Sequence, residues 1–206
     1  MQTAILVSDA VLAAAALAAL GLARPRYLAM AGFALLALAA AAGCLRYGGL
    51  DAVLPLHQGL SFLAGTLGLP MVLLAYAGLT PRQAAPALAA LLMLSAAAWM
   101  QPPARLLVGL ATLLGWSLML WRGRRDPVLA GAIAAGIAAS LAAGLFAPQG
   151  RWPQLEIMHY ALALAQLAFG AALHLRYKDH TTSSPTQAGT TGEQCPDHSR
   201  AAPPAS

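Results

Sequence analysis

Long apolar runs alternate with short polar breaks along this chain, and the runs have the length of a membrane span. About 20 apolar residues suffice, because a helical rise of 1.5 Å per residue then covers about 30 Å of hydrocarbon. Seven spans are predicted: Thr3 to Ala23, Tyr27 to Leu45, Val53 to Leu79, Thr80 to Met100, Pro103 to Trp121, Asp126 to Phe146 and Pro153 to Tyr177. Thr80-Pro81 and Asp126-Pro127 each set a capping residue before a proline at the first helical position. The third run carries Gly59, Gly65, Gly68 and Pro70, and a kink is expected near Pro70, which lacks a backbone donor. Small residues are frequent, as on the Gly131, Ala135, Ala139 face of the sixth span, where close helix packing is expected.

Composition sharpens this picture. Hydrophobic residues make up 59% of the chain and charged ones 9%, well below the roughly 25% of soluble domains. The fold class is therefore all-α, an integral membrane bundle formed by residues 1–178. Residues 179–206 turn polar and small, and are expected to form a disordered tail. Cys195 and His198 in that tail are spaced like half a metal site, with no second pair near them. Met1 to Ala23 has no Lys or Arg ahead of its apolar stretch, whereas Arg24 and Arg26 follow it. A signal peptide has the opposite charge order, so this segment is expected to remain as a helix.

The net charge of +5 is spread singly or in short clusters between spans, which excludes a nucleic-acid surface and points to membrane orientation. With the N-terminus outside, nine basic residues fall on the inner side and Arg46, Arg105 and Arg151 on the outer side. Tyr47, Trp99 and Trp152 then mark outer ends, and Tyr27, Trp121 and Tyr177 inner ends. The expected topology is N-terminus outside and C-terminus cytoplasmic, multi-pass in the plasma (inner) membrane.

Against this background a few polar side chains stand out. His57 and Ser61 share a face with Gly65 and Gly68, and the last span carries a stripe of Glu156, His159, Gln166, Gly170, His174 and Tyr177. Asp9, His57 and His159 fall at similar depth in the outer half. An ionisable group at mid-bilayer costs about 2.5–3.5 kcal/mol on insertion scales, so these groups are expected to pair or to reach water. Structural roles suffice for each: Asp9 as a helix-end charge, Glu156 and His159 as a surface pair, His57 bonded to a carbonyl. The chemical alternative is a zinc site with His57 and His159 as ligands, Asp9 or Glu156 as third ligand or base, and Ser61 as an oxyanion or water partner. A di-iron site would need Glu-x-x-His twice, and it occurs once. A retinal Schiff base would need a lysine within a span, and the only lysine is Lys178.

Seven spans with histidines at His57 and His159, the segment LEIMHYALALAQ and the Asp-led start SDAVLAAAALAAL resemble a bacterial seven-helix membrane family, itself distantly similar to the CREST superfamily. That superfamily includes the alkaline ceramidases and progestin-receptor-like proteins. The resemblance implies a metal-dependent hydrolase using three histidines, a serine and an aspartate, acting on a lipid amide or ester. Two positions depart from the pattern. Leu155 stands where the last helix would carry a second histidine, and Ser61 follows its histidine instead of preceding it. The competing expectations are a non-enzymatic membrane partner, or degenerate relative of such hydrolases, and then a small-solute transporter. Transport ranks last because one span alone is interrupted and no internal repeat is present.

The orientation has a direct test. A membrane-impermeant thiol reagent applied to intact cells is expected to leave Cys195 unlabelled and to reach it after lysis. Labelling from outside would reverse the topology.

Overall fold

The computed structural model describes residues 2–146 and 152–182. Its elements are helices: α1 (Gln2–Leu22), α2 (Tyr27–Tyr47), α3 (Leu54–Leu63), α4 (Leu69–Tyr76), α5 (Pro81–Met100), α6 (Pro102–Gly123), α7 (Pro127–Phe146) and α8 (Trp152–Thr182). A single 3₁₀ turn, Asp51–Val53, leads into α3, and a π-helical turn, Ala64–Gly68, joins α3 to α4 as one span. Among the described residues seven spans are long and apolar enough to cross a membrane, which makes this a polytopic membrane protein with an all-α, seven-helix fold.

Local chemistry explains most boundaries. Asp126 Oδ1 accepts from the N–H groups of Val128 and Leu129, both at 3.0 Å, and so starts α7. Gln83 Oε1 accepts from the Thr80 N–H at 3.1 Å at the start of α5. The third span ends at Tyr76 rather than Leu79, because Gly78 turns the chain at φ +72°. Helix α8 runs on to Thr182, into the segment expected to be tail. No glycine or proline follows Tyr177 before Pro185, and a helix leaving the hydrocarbon still satisfies its own backbone. The remaining tail, 183–206, with Cys195 and His198, lies outside the described residues.

The break in the third span lies one turn earlier than Pro70 itself. Proline cannot donate to the carbonyl four residues back, and here that carbonyl belongs to Thr66. The Ser95 hydroxyl on α5 donates to the Thr66 carbonyl at 3.4 Å. In lipid such a carbonyl needs a partner from the protein, and a neighbouring helix supplies it.

The spans close a ring in chain order, α8 returning to pack on α1, with α4 also touching α6. Close packing sits where glycine removes a side chain. A Cβ on Gly32 of α2 would stand 2.5 Å from the Gly68 carbonyl oxygen, and one on Gly136 of α7 would stand 2.5 Å from Phe169 of α8. The packed face of α7 is thus Ile133, Gly136, Ala139 and Ala143, whereas Gly131 and Ala135 are exposed. Only Ala139 of the expected small face belongs to it. Large aromatics fill the half away from the N-terminus: Trp116 stacks on Phe169 at 4.1 Å between centroids, with Tyr76 at 5.3 Å. At that end the Tyr177 hydroxyl donates to the Ala75 carbonyl at 2.9 Å, and the Arg26 guanidinium lies 3.3 Å from the Tyr177 ring. With one end filled by aromatics, polar groups collect in the other.

These contacts separate two kinds of glycine. Gly32→Ala is expected to lower stability by roughly 1–3 kcal/mol, as overpacking does. Gly131→Ala, whose Cβ would meet nothing within 4 Å, is expected to be neutral or mildly stabilising. Thermal melting in detergent, at matched conditions, reads both.

Candidate functional site

Between Ala4 and Leu22 of α1 the only polar side chains are Ser8 and Asp9, and both are buried. They are buried because α1 is wedged between α2 and α8. Helices α1 and α8 run side by side in one register: Ser8 meets His159, and Ala19 meets Gly170, where a Cβ would stand 2.9 Å from the Ala19 methyl.

His159 Nδ1 lies 2.9 Å from Ser8 Oγ and 3.3 Å from Asp9 Oδ1. The tautomer follows from the partners. Ser8 has one hydroxyl proton and donates it to the Ile5 carbonyl at 2.9 Å, so towards His159 its oxygen can only accept. Nδ1 is therefore the donor, and Nε2 holds the free lone pair. The other carboxylate oxygen, Asp9 Oδ2, is buried without a hydrogen-bond partner. It lies where a side chain on residue 43 would be: the three atoms nearest a Cβ on Gly43 all belong to the Asp9 carboxyl, Cγ at 2.8 Å and Oδ1 at 3.2 Å among them.

His57 occupies a different setting. Its Nδ1 lies 3.2 Å from the Ala39 carbonyl on α2, a pure acceptor, so this imidazole too is protonated on Nδ1 and free on Nε2. Ser61 Oγ approaches the same nitrogen at 3.5 Å, on the side already committed to Ala39. His57 and Ser61 line an open polar cavity of about 670 Å³ between α2, α3, α5 and α6, together with Arg46, Gln58, Trp99 and Arg105.

The structure thus brings Asp9 and His159 into contact and sets His57 with Ser61 in the neighbouring cavity. Glu156 is half-buried one turn before His159 and makes no ion pair among the described residues. Both oriented imidazoles are the donor type that zinc takes, each with its other nitrogen bonded as metal ligands commonly show. Three protein ligands are needed, however, and among the described residues no group of three His, Cys, Asp or Glu side chains is gathered to hold a metal. Nor is Ser8–His159–Asp9 a nucleophile relay. A relay puts serine and carboxylate on opposite ring nitrogens, and here both meet Nδ1.

Sequence reasoning passed over Ser8, Gly43, Arg46 and Arg105. Ser8 had a signal, standing beside Asp9 as the other polar group of its span. Arg46 and Arg105 were counted only as orientation charges. Gln166 of the α8 stripe is fully buried, with neither amide atom hydrogen-bonded, whereas His174 is exposed. No protein-family model matches the chain, and no curated protein or solved structure matches it.

The fit of Asp9 against Gly43 generates a double-mutant test. Gly43→Ala is expected to destabilise the protein by roughly 1–3 kcal/mol. In an Asp9→Ala background the same substitution should be close to neutral, because the atoms it would strike are gone. Equal losses in both backgrounds would show that residue 43 is held by something other than the carboxyl.

Proposed function

We propose that this is a plasma-membrane protein (inner membrane in a two-membrane cell), N-terminus outside and C-terminus cytoplasmic, that hydrolyses the amide or ester of a lipid taken from the outer leaflet. The observation that carries the reading is the state of His57. Its Nδ1–H is tied to the Ala39 carbonyl, and the side chain lines the polar cavity, so the ring offers Nε2 as a neutral base. The resemblance to the CREST-like bacterial family supports a membrane hydrolase, though one that uses a metal, and the bias of basic residues supports the orientation.

The chemistry balances on that one imidazole. Nε2 of His57 takes a proton from water as the water oxygen bonds to the substrate carbonyl carbon. The C–N or C–O bond then breaks, and the proton held by His57 passes to the departing amine or alcohol. The guanidinium of Arg105, in the same cavity, is the group to stabilise the carbonyl oxygen as it becomes negative, while Ser61, which lies at Nδ1 and not at the nitrogen that takes the proton, has no part in the step. His159 and Asp9 exchange no proton in this step and join α8 to α1.

A second reading has its own support. Ser8 and Asp9 sharing one nitrogen of His159 is what a buried structural clamp requires, and a non-enzymatic membrane partner that kept the fold would retain it.

Two chromogenic amphiphiles, p-nitrophenyl dodecanoate for the ester and dodecanoyl-p-nitroanilide for the amide, separate the readings on purified protein. His57→Gln is expected to lower turnover about 10²–10⁴-fold. His174→Gln, at the far end of the bundle, should leave it unchanged. No turnover by the unaltered protein on either compound, or full turnover in His57→Gln, favours the non-enzymatic reading.

A further inference from the structure

Two cavities in this bundle share a wall. The polar one, about 670 Å³, presents Arg46 and Arg105. The second, about 340 Å³, is a mostly apolar groove between α4, α6, α7 and α8, floored by Leu69, Leu113, Met158 and Leu162. Gly65, in the π-helical turn, and Gly109, on α6, line both. A Cβ on either glycine would meet nothing within 4 Å, so the backbone borders open space where the cavities adjoin.

Charge points the same way as shape. No carboxylate lines the polar cavity, and among the described residues neither arginine forms an ion pair within 4 Å, although the Asp9 carboxyl, outside the lining, is near enough to interact with Arg46 through space. Arg105 is steadied by its Nε–H, which donates to the Ala98 carbonyl at 3.0 Å, and its guanidinium carbon lies 5.0 Å from the Phe62 ring centre. Arg46 leans on the Tyr47 ring at 4.9 Å. Two cations facing one cavity with no carboxylate in its lining favour an anion there, and a phosphate oxygen accepts strong charge-assisted hydrogen bonds from a guanidinium.

We infer that the two cavities form one site for an acidic membrane lipid, its phosphate held by Arg46 and Arg105 and an acyl chain lying past Gly65 and Gly109 in the apolar groove. The inference rests on the reading of the polar cavity as the place a lipid enters, and adds the charge and shape of that lipid. A soluble phosphate would use the arginines and leave the groove empty. A neutral lipid would use the groove and leave the arginines unpaired.

Native mass spectrometry of delipidated protein, titrated with phosphatidylglycerol, phosphatidylcholine of the same chains and soluble glycerol phosphate, tests this. Phosphatidylglycerol is expected to bind about tenfold more tightly than either of the others. The Arg46→Gln/Arg105→Gln protein should lose that preference, Arg46→Lys/Arg105→Lys should retain most of it, and Gly109→Leu should weaken lipid binding while its melting temperature holds. Should the double Gln protein fail to fold, high salt on the unaltered protein must erase the preference instead. Equal binding of the two lipids, glycerol phosphate binding as well as phosphatidylglycerol, or a preference that survives the double Gln change or the salt overturns the site. The hydrolytic reading fails separately. Absence of the lipid preference in the unaltered protein, with its chromogenic turnover present, removes this inference alone, and lipid preference in the unaltered protein without any turnover removes the hydrolase alone.

Discussion

The carboxyl of Asp9 occupies the space that a side chain on residue 43 would fill, and three helices are arranged around that fact. An acid this deep in a helix has to be surrounded by protein. Gly43 lets α2 close over it, and His159 reaches it from α8. Once His159 meets Ser8, the parallel register of α1 and α8 follows down to Ala19 and Gly170, where the two backbones come close. Lipid tails are as apolar as the side chains they replace, so a membrane bundle gains little from hiding hydrocarbon. Close glycine contacts and a few buried polar pairs define which face of each helix turns inward.

That arrangement also decides what the histidines can do. Each imidazole is held through Nδ1 by an acceptor that belongs to a different helix: Ala39 for His57, Asp9 and Ser8 for His159. Each is therefore left with a lone pair on Nε2. They differ in surroundings. His159 is buried between helices, while His57 lines a cavity that also contains two arginines. Chemistry on an incoming molecule belongs with the second, and structural closure with the first.

Much of the fold was legible in the sequence because hydrocarbon thickness imposes one length on every span, and Thr80-Pro81 and Asp126-Pro127 mark helix starts by local chemistry alone. What the spacing of residues leaves open is the rotation of each helix about its own axis. The small face expected at Gly131, Ala135 and Ala139 illustrates this, since Gly136 against Phe169 turns α7 so that only Ala139 of the three packs inward. Rotation likewise gives His57 and His159 different hydrogen-bond partners, and converts Arg46 and Arg105 from counted charges into walls of one cavity. The displaced break in the third span had a local cause, the missing Pro70 donor, but its remedy through Ser95 lies on another helix and has no local signature.

Both the closure of α1 on α8 and the role of His57 as a base depend on the two imidazoles being neutral and protonated at Nδ1. Nitrogen-15 spectra of histidine-labelled protein in lipid at neutral pH, assigned with His57→Gln and His159→Gln, read this directly. Both rings are expected to show a protonated Nδ1 and an unprotonated Nε2. A ring protonated at Nε2, or at both nitrogens, would mean that the bonds to Ala39 or to Asp9 and Ser8 are not made as described, and the assignment of His57 as a base would fall with them.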